Sequence, residues 1–119
     1  MASKYRNKRT EYNGRTYASK VEAKRAWQLD RLVIFGQVLS WTPQPRFTLG
    51  CPENVYVADF LVEGADGTTW AEDVKGFETL AFKRNKRLWK VYGKHDLRIL
   101  KRKGASWVVQ VVKGGVECP

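Results

Sequence analysis

Residues 58–76 read Ala58-Asp59-Phe60-Leu61-Val62-Glu63, then Gly64-Ala65-Asp66-Gly67, then Thr68-Thr69-Trp70-Ala71-Glu72-Asp73-Val74-Lys75-Gly76. Two runs rich in Val, Phe, Trp and Thr flank a short loop containing Gly, which is the pattern of a β-hairpin. The hairpin carries acids where a purely structural strand has none. Asp59 stands in one apolar run, and Glu72, Asp73 and Lys75 stand at the end of the other. Strands disfavour Asp, and a buried carboxylate is costly unless a charge offsets it. A bound metal ion is the simplest offset.

The length of the loop decides which acid joins Asp59, because neighbours on a strand point to opposite faces. A two-residue loop, Asp66-Gly67, sets Asp59 opposite Val74 and on one face with Glu72. A three-residue loop, Ala65-Asp66-Gly67 with Gly67 in the left-handed conformation, sets Gly64 opposite Thr68 and Asp59 opposite Asp73. Lys75 then faces Val57 on the same side. Asp-Gly suits either turn.

Upstream, Thr10 to Tyr17 places Asn13-Gly14 between β-prone runs, a second hairpin too small to stand alone. It is expected to pack on the domain or on a second subunit. Ser19 opens a helix that carries Val21, Leu29, Leu32 and Val33 mostly on one stripe and stops at Gly36. Ser19-x-x-Glu22 is a capping box, and that role alone accounts for Glu22. Gln37 to Trp41 reads as a short strand. Thr42-Pro43-Gln44-Pro45 reads as an extended connection, Arg46 to Leu49 as a strand, and Tyr56 to Glu63 as the first arm of the central hairpin. Cys51 reads as a space-filling residue.

Downstream, Thr79 to Tyr92 reads as a second helix with Phe82, Leu88, Trp89 and Tyr92 as its apolar stripe. Lys83, Arg84, Lys86, Arg87 and Lys90 crowd the rest of its surface. A charged helix face is ordinarily just solvated, but five cations without an acid repel one another, which favours phosphate binding. Leu97 to Leu100 reads as a strand, Lys101 to Gly104 as a basic turn, and Ser106 to Val112 as a final strand that is either a sheet edge or a dimer seam. Helices alternating with runs of strands in this way are those of an α/β domain around a central mixed sheet flanked by helices.

The chain has 119 residues, a net charge of +10 and 43% hydrophobic residues, as expected of one folded domain with a polyanionic partner. Of 22 Lys and Arg, eight lie in residues 1–25 and ten in residues 83–103, whereas residues 26–82 hold three against eight acids. An acidic middle between basic flanks suits a nuclease, since phosphates need cations around them and a metal needs carboxylates at the centre. Residues 1–9, with Lys4, Arg6, Lys8 and Arg9, read as a mobile basic arm, or by themselves equally as a solubilising tail. Two cysteines and one histidine leave no ligand set for structural zinc, and a Cys51–Cys118 disulfide is disfavoured in an intracellular chain. The absence of a leader and of a long apolar run predicts a cytoplasmic protein without a membrane partner.

Asp59 followed after a hairpin by Asp73-Val74-Lys75 resembles the PD-(D/E)xK nuclease superfamily, with Ala58 where that family often has Pro. Ser19 to Ala23, Gln44 to Phe47, Ala58 to Phe60 and Glu72 to Gly76 follow in the family's order. Over roughly residues 4–101 the chain looks like the small phage nucleases that resolve Holliday junctions. The resemblance implies a restriction-endonuclease-like fold and a homodimer that nicks opposed strands of branched double-stranded DNA, in the host cytoplasm if phage-encoded. It assigns Glu22, Asp59 and Asp73 to Mg²⁺, with Mn²⁺ able to substitute and no small-molecule cofactor, and Lys75 to catalysis, where the plain alternative for Lys75 is an ion pair with Asp73 or Asp59. It also favours the three-residue loop, since only that loop unites Asp59, Asp73 and Lys75. Other readings are a restriction-like or transposition-associated nuclease of the same superfamily, a non-catalytic basic DNA-binding protein, and an RNA-binding protein of translation. The last leaves Asp59, Asp73 and Lys75 without a role.

Overall fold

In the computed structural model, which describes residues 8–116, five strands form the central sheet and one helix packs on each face. The chain begins with a hairpin, β1 (Thr10–Tyr12) and β2 (Arg15–Tyr17), and continues into α1 (Lys20–Ile34). Asn13 and Gly14 both have positive φ, 51° and 80°, which is the two-residue turn that Asn-Gly favours. The hairpin packs on its own domain. Tyr12 donates a 2.5 Å hydrogen bond to Asp30 Oδ2 on α1, and Trp41 Nε1 donates to Oδ1 of the same carboxylate at 2.9 Å. The Asp30 carboxylate so favours the neutral phenol that the Tyr12 pKa is pushed up to about 12.

Ser19 caps α1, its hydroxyl accepting from the Glu22 amide at 3.1 Å. The buried stripe of the helix is Ala23, Ala26 and Leu29, with Leu32 half-buried. Val33 lies on the same stripe as Ala26 and Leu29 but is exposed, because it sits in the last turn of α1, beyond the buried cluster.

The sheet runs in the order β3 (Val38–Pro43), β6 (Phe60–Gly64), β7 (Thr69–Val74), β8 (Asp96–Lys103), β9 (Ser106–Val112). Only β7 and β8 are parallel, so the sheet is mixed. Thr42 and Pro43, expected in a connection, extend β3; Pro is tolerated there because β3 is an edge. Lys101 to Lys103, expected in a turn, extend β8, and the turn falls on Gly104 and Ala105. β9 is the opposite edge of the sheet.

The run Tyr56 to Glu63 is not one straight strand. It is broken into β5 (Val55–Val57) and β6, and β5 pairs with β4 (Arg46–Thr48) in a separate two-stranded sheet. The register is nonetheless the same on both sides of the break, with Pro43 opposite Phe60 before it and Arg46 opposite Val57 after it. A long ladder therefore bends over as a unit, at Gln44, whose φ is 51°, and across from it at Ala58-Asp59. The folded-over arm covers the α2 side (α2, Leu80–Tyr92), where Leu49, Tyr56, Ala58, Phe82, Trp89, Leu97 and Ile99 form one core cluster. Phe60, Val62 and Trp70 on the other face meet α1 and the N-terminal hairpin through Tyr17, Ala26 and Leu29. In α2 the buried residues are Phe82 and Trp89; Tyr92, expected with them, is exposed. Cys51 is exposed as well and fills no space in the core, while Cys118 lies outside the described residues. Among the described residues no helix is long and apolar enough to cross a membrane.

Candidate functional site

The central hairpin closes through three residues. Gly64 N–H donates to Thr68 O at 2.7 Å, Gly67 has φ of 89°, and Thr68 N–H donates to Asp66 Oδ1 at 3.0 Å. Leu61 accordingly opposes Ala71 and Phe60 opposes Glu72, the register expected of the longer loop. That register divides the two acids of β7 between the faces of the sheet.

Glu72 points toward α1 and is wholly buried. Arg25 grips it with Nε at 2.7 Å from Oε1 and Nη2 at 2.8 Å from Oε2, and Trp70 Nε1 donates to Oε2 at 2.8 Å. A carboxylate so completely satisfied is a structural anchor of α1 on the sheet. Arg25 was not legible as its partner, since the two are brought together only by the tertiary fold.

Asp73 points to the α2 side and is also buried, but it is satisfied on one oxygen only. Tyr56 O–H donates to Oδ2, and burial followed by the Asp73 charge pushes the Tyr56 pKa up, so the phenol stays a donor. Lys75 Nζ lies 3.0 Å from Oδ1. That contact is not aligned as a hydrogen bond, and Oδ1 is the buried oxygen left without a hydrogen-bond partner among the described residues. Lys75 also lies 4.5 Å over the Phe82 ring, so its ammonium is steered from both sides.

Asp59 sits at the bend of the long ladder. Its backbone N–H donates to Glu72 O at 3.0 Å, and its Oδ2 accepts from Val74 N–H at 2.7 Å, which fixes the side chain against the end of β7. Burial, and then the charges of Asp73 and Glu22, hold the Asp59 pKa well above the usual carboxylate range, against smaller opposing effects of the Val74 amide and Lys75. Glu22 is raised in turn by burial and by Asp73, with Lys75 and the Ala18 amide opposing. The four residues expected to form the site thus share one electrostatic neighbourhood, in which three carboxylates face one lysine. Glu22 stands at the cap of α1, where its amide donates to Ser19 Oγ, while its side chain feels the charges of Asp73 and Lys75.

Such an accumulation of negative charge is what a divalent cation relieves, and Asp73 Oδ1, which faces Lys75 but accepts no hydrogen bond, is an oxygen with room for a ligand bond. Among the described residues no group of three His, Cys, Asp or Glu side chains converges as a ready-made cage. Mg²⁺ needs none, because it is commonly held by one or two carboxylates, with waters and phosphate oxygens completing its shell. Asp59 and Asp73 fit that part.

The strain between these acids has a measurable sign. In EDTA, Asp59→Asn is expected to raise the melting midpoint at about pH 8 by roughly 4 °C, the shift that about 1 kcal/mol produces in a domain near this size. The Asn side-chain oxygen still accepts from Val74, while the buried charge is gone. Because the folded pKa of Asp59 is raised, its contribution to stability is full below the unfolded value, about 3.9, and is lost as pH climbs through the folded value. The advantage of the variant therefore vanishes in acid and grows with pH. An unchanged or lowered midpoint at alkaline pH overturns this.

The expected phosphate-binding cations are distributed as follows. Lys8, Arg9, Lys83, Arg84, Arg87 and Lys90 are exposed, whereas Lys4 and Arg6 lie outside the described residues, as does most of the expected basic arm. Lys86 is half-buried and pairs with Glu78 at 2.5 Å. The cationic helix is therefore not without an acid: Glu78, just ahead of its Thr79 cap, also holds Lys101 at 2.9 Å. Arg84 donates to Asn54 Oδ1 at 2.9 Å.

No curated protein and no solved structure matches the chain. One family model does, over residues 2–115, and it takes in every element and every acid described above. The chain belongs to the family described as protein of unknown function (DUF1064).

Proposed function

We propose that the protein is a metal-dependent, structure-selective endodeoxyribonuclease with a restriction-endonuclease-like fold, acting on branched DNA as a homodimer in the manner of a Holliday-junction resolvase. The observation that carries this reading is the buried Asp73, held by Tyr56 on one oxygen and facing only the Lys75 ammonium, with no hydrogen bond, on the other, beside Asp59 and Glu22, whose carboxyls are held above their usual range. Glu72 has a guanidinium and an indole to itself, whereas Asp73 shares its one lysine with the charges of Asp59 and Glu22.

Asp59 and Asp73 are the residues to hold the ion, with Glu22 completing the acidic wall. A divalent cation bound there lowers the pKa of a water and neutralises charge as it develops on the phosphate. In the reaction the water oxygen bonds to phosphorus, one P–O ester bond breaks, and the departing oxygen takes up a proton, giving a phosphomonoester and an alcohol. Tyr56 keeps the Asp73 carboxylate in place by donating to its far oxygen. Lys75, one-quarter exposed at its side chain, can reach both the carboxylate and a phosphate oxygen, and so orients the water or stabilises the added negative charge. The cations on the exposed face of α2 bind the backbone by charge, which reads shape and not base sequence.

Two cuts in a symmetric junction need two sites related by a two-fold axis, and among the described residues each chain has one acidic cluster of this kind. Edge strand β9, with Val108, Val109 and Val111 exposed, supports a seam between two copies. The test is incubation of a synthetic four-way junction, a replication fork and linear duplex with and without Mg²⁺, together with sedimentation of the protein at micromolar concentration. Expected are a dimer, cleavage of the junction with Mg²⁺ or Mn²⁺, and no cleavage in EDTA. Preferential cutting of linear duplex points instead to a restriction-like enzyme of the same superfamily. Salt-sensitive binding without cleavage under either metal overturns the catalytic reading.

A further inference from the structure

We propose that Phe77 and Leu80 form an apolar wedge that enters an unstacked base step of branched DNA beside the catalytic strand. This rests on the nuclease reading above and names what makes that site selective for structure.

The chain leaves β7 at Lys75 and enters α2 at Leu80, and this short connection is fixed along its length. Lys75 N–H donates to Leu100 O at 2.9 Å, and Thr79 Oγ1 accepts from the Phe82 amide at 3.1 Å. Between them the Glu78 side chain is drawn inward by Lys86 and Lys101, at 2.5 and 2.9 Å. With Glu78 held inside, its two apolar neighbours are left outside: Phe77 is 66% exposed and Leu80 is 84% exposed. Single exposed apolar side chains are ordinary on a protein surface. Two on one braced connection, next to a candidate catalytic lysine, call for a partner. The exposed rings of Trp27 and Phe35 differ in this respect, since each is faced by the Arg31 guanidinium, at 5.7 and 5.3 Å.

The surroundings select the occupant. Lys75 precedes the pair, Lys83 and Arg84 follow it on the first turns of α2, and Lys86 and Lys101 flank Glu78. An apolar tip set among cations fits a ligand that joins negative charge to flat apolar faces, which describes DNA with its bases parted. A second copy of the chain, itself carrying +10, would bring like charges together here. Phe77 lies two residues beyond Lys75, so their Cα atoms are within about 7 Å. A wedge at that distance acts next to the phosphate being cut. In continuous duplex it meets stacked bases and must part them, at a cost of about a few kcal/mol per step. At a branch point the stack is already interrupted, so insertion is cheaper there, and selectivity follows without any contact to a base edge.

The test places 2-aminopurine, whose fluorescence rises when it unstacks, at the branch point of a four-way junction and in a linear duplex. Both are titrated with the full-length protein in EDTA. Expected is a rise on the junction only. Phe77→Ala and Leu80→Ala each abolish it and weaken junction binding about tenfold, the loss of roughly one base–aromatic or base–aliphatic stack. Linear duplex binding stays within about twofold, because the cations are untouched. Both side chains are exposed, so the variants keep the wild-type melting midpoint, and Phe77→Trp restores the signal. A junction that is bound and cleaved with flat fluorescence, and equally well by both Ala variants, overturns the wedge while leaving the nuclease. A change from dimer to monomer in those variants, with the fluorescence unaltered, assigns the patch to a second copy and also overturns it. Failure of the wild-type protein to bind the junction at all overturns the nuclease reading and the wedge together.

Discussion

Asp73→Asn and Lys75→Ala are each expected to lower Mg²⁺-dependent cleavage of a four-way junction on the order of 10³-fold, the scale of removing one group that meets the developing charge. Binding in EDTA is expected to change by no more than about twofold, because affinity comes from many phosphate contacts spread over the basic surface. In Asp73→Asn the side-chain oxygen still accepts from Tyr56, so the core on the α2 side keeps its packing and only the anionic oxygen facing Lys75 is lost. Lys75→Ala removes the cation paired with the buried Asp73 and resting on Phe82, and a lowered melting midpoint accompanies the loss. Gel-shift titration and single-turnover cleavage on one protein preparation separate the two effects. Equal losses of binding and cleavage sink the division between catalytic and phosphate-binding residues, and full activity in Asp73→Asn removes the metal assignment.

Glu72→Gln, one residue away, is expected to fail differently. It leaves the Arg25 guanidinium beside a neutral amide in a place where Glu72 is 0% exposed, and breaking a buried pair from one side costs roughly 3–5 kcal/mol. With a total stability of about 5–15 kcal/mol for a domain, that is a large share. Urea denaturation reads it directly, as a lower midpoint with an unchanged slope. Its folded fraction is expected to cleave the junction at close to the wild-type rate. Replacing both partners, Arg25→Met with Glu72→Leu, is expected to recover most of the stability, because well-packed apolar groups often match a buried pair. A stable Glu72→Gln protein without activity, beside an active Asp73→Asn protein, exchanges the roles of the two acids.

The face that each of these two acids takes was legible because it depends on counting. Asp66-Gly67 is compatible with two loops, but only the three-residue loop unites Asp59, Asp73 and Lys75, and the observed register has Phe60 opposite Glu72 as that loop requires. The N-terminal hairpin and both helix starts were legible for a similar reason, since Asn13-Gly14, Ser19 and Thr79 act on their immediate neighbours. What could not be read depends on partners distant in sequence. Nothing near Arg25 announces Glu72, and nothing in Val55-Tyr56-Val57 shows that its tyrosine will hold Asp73. The bend at Ala58-Asp59 was hidden because alternation continues through it, with the ladder keeping its register on both sides. The cationic helix was read without its counter-charge because Glu78 lies outside the helix and returns to it only when the chain folds.

The three-residue loop at Ala65-Asp66-Gly67 behaves as a spacer whose length matters more than its composition. It is exposed, so its tip is a place where most domains accept insertions. Here a single added or deleted residue shifts one arm by half a pleat, and every side chain beyond it changes sides. Asp73 would then turn toward Arg25 and Glu72 toward Tyr56, so that the two acids trade places while the composition of the strand is untouched. Grafting this strand pair into another scaffold, or splicing a tag into its tip, therefore has to conserve parity: a two-residue insertion keeps the phase of the sheet, and a one-residue insertion inverts it.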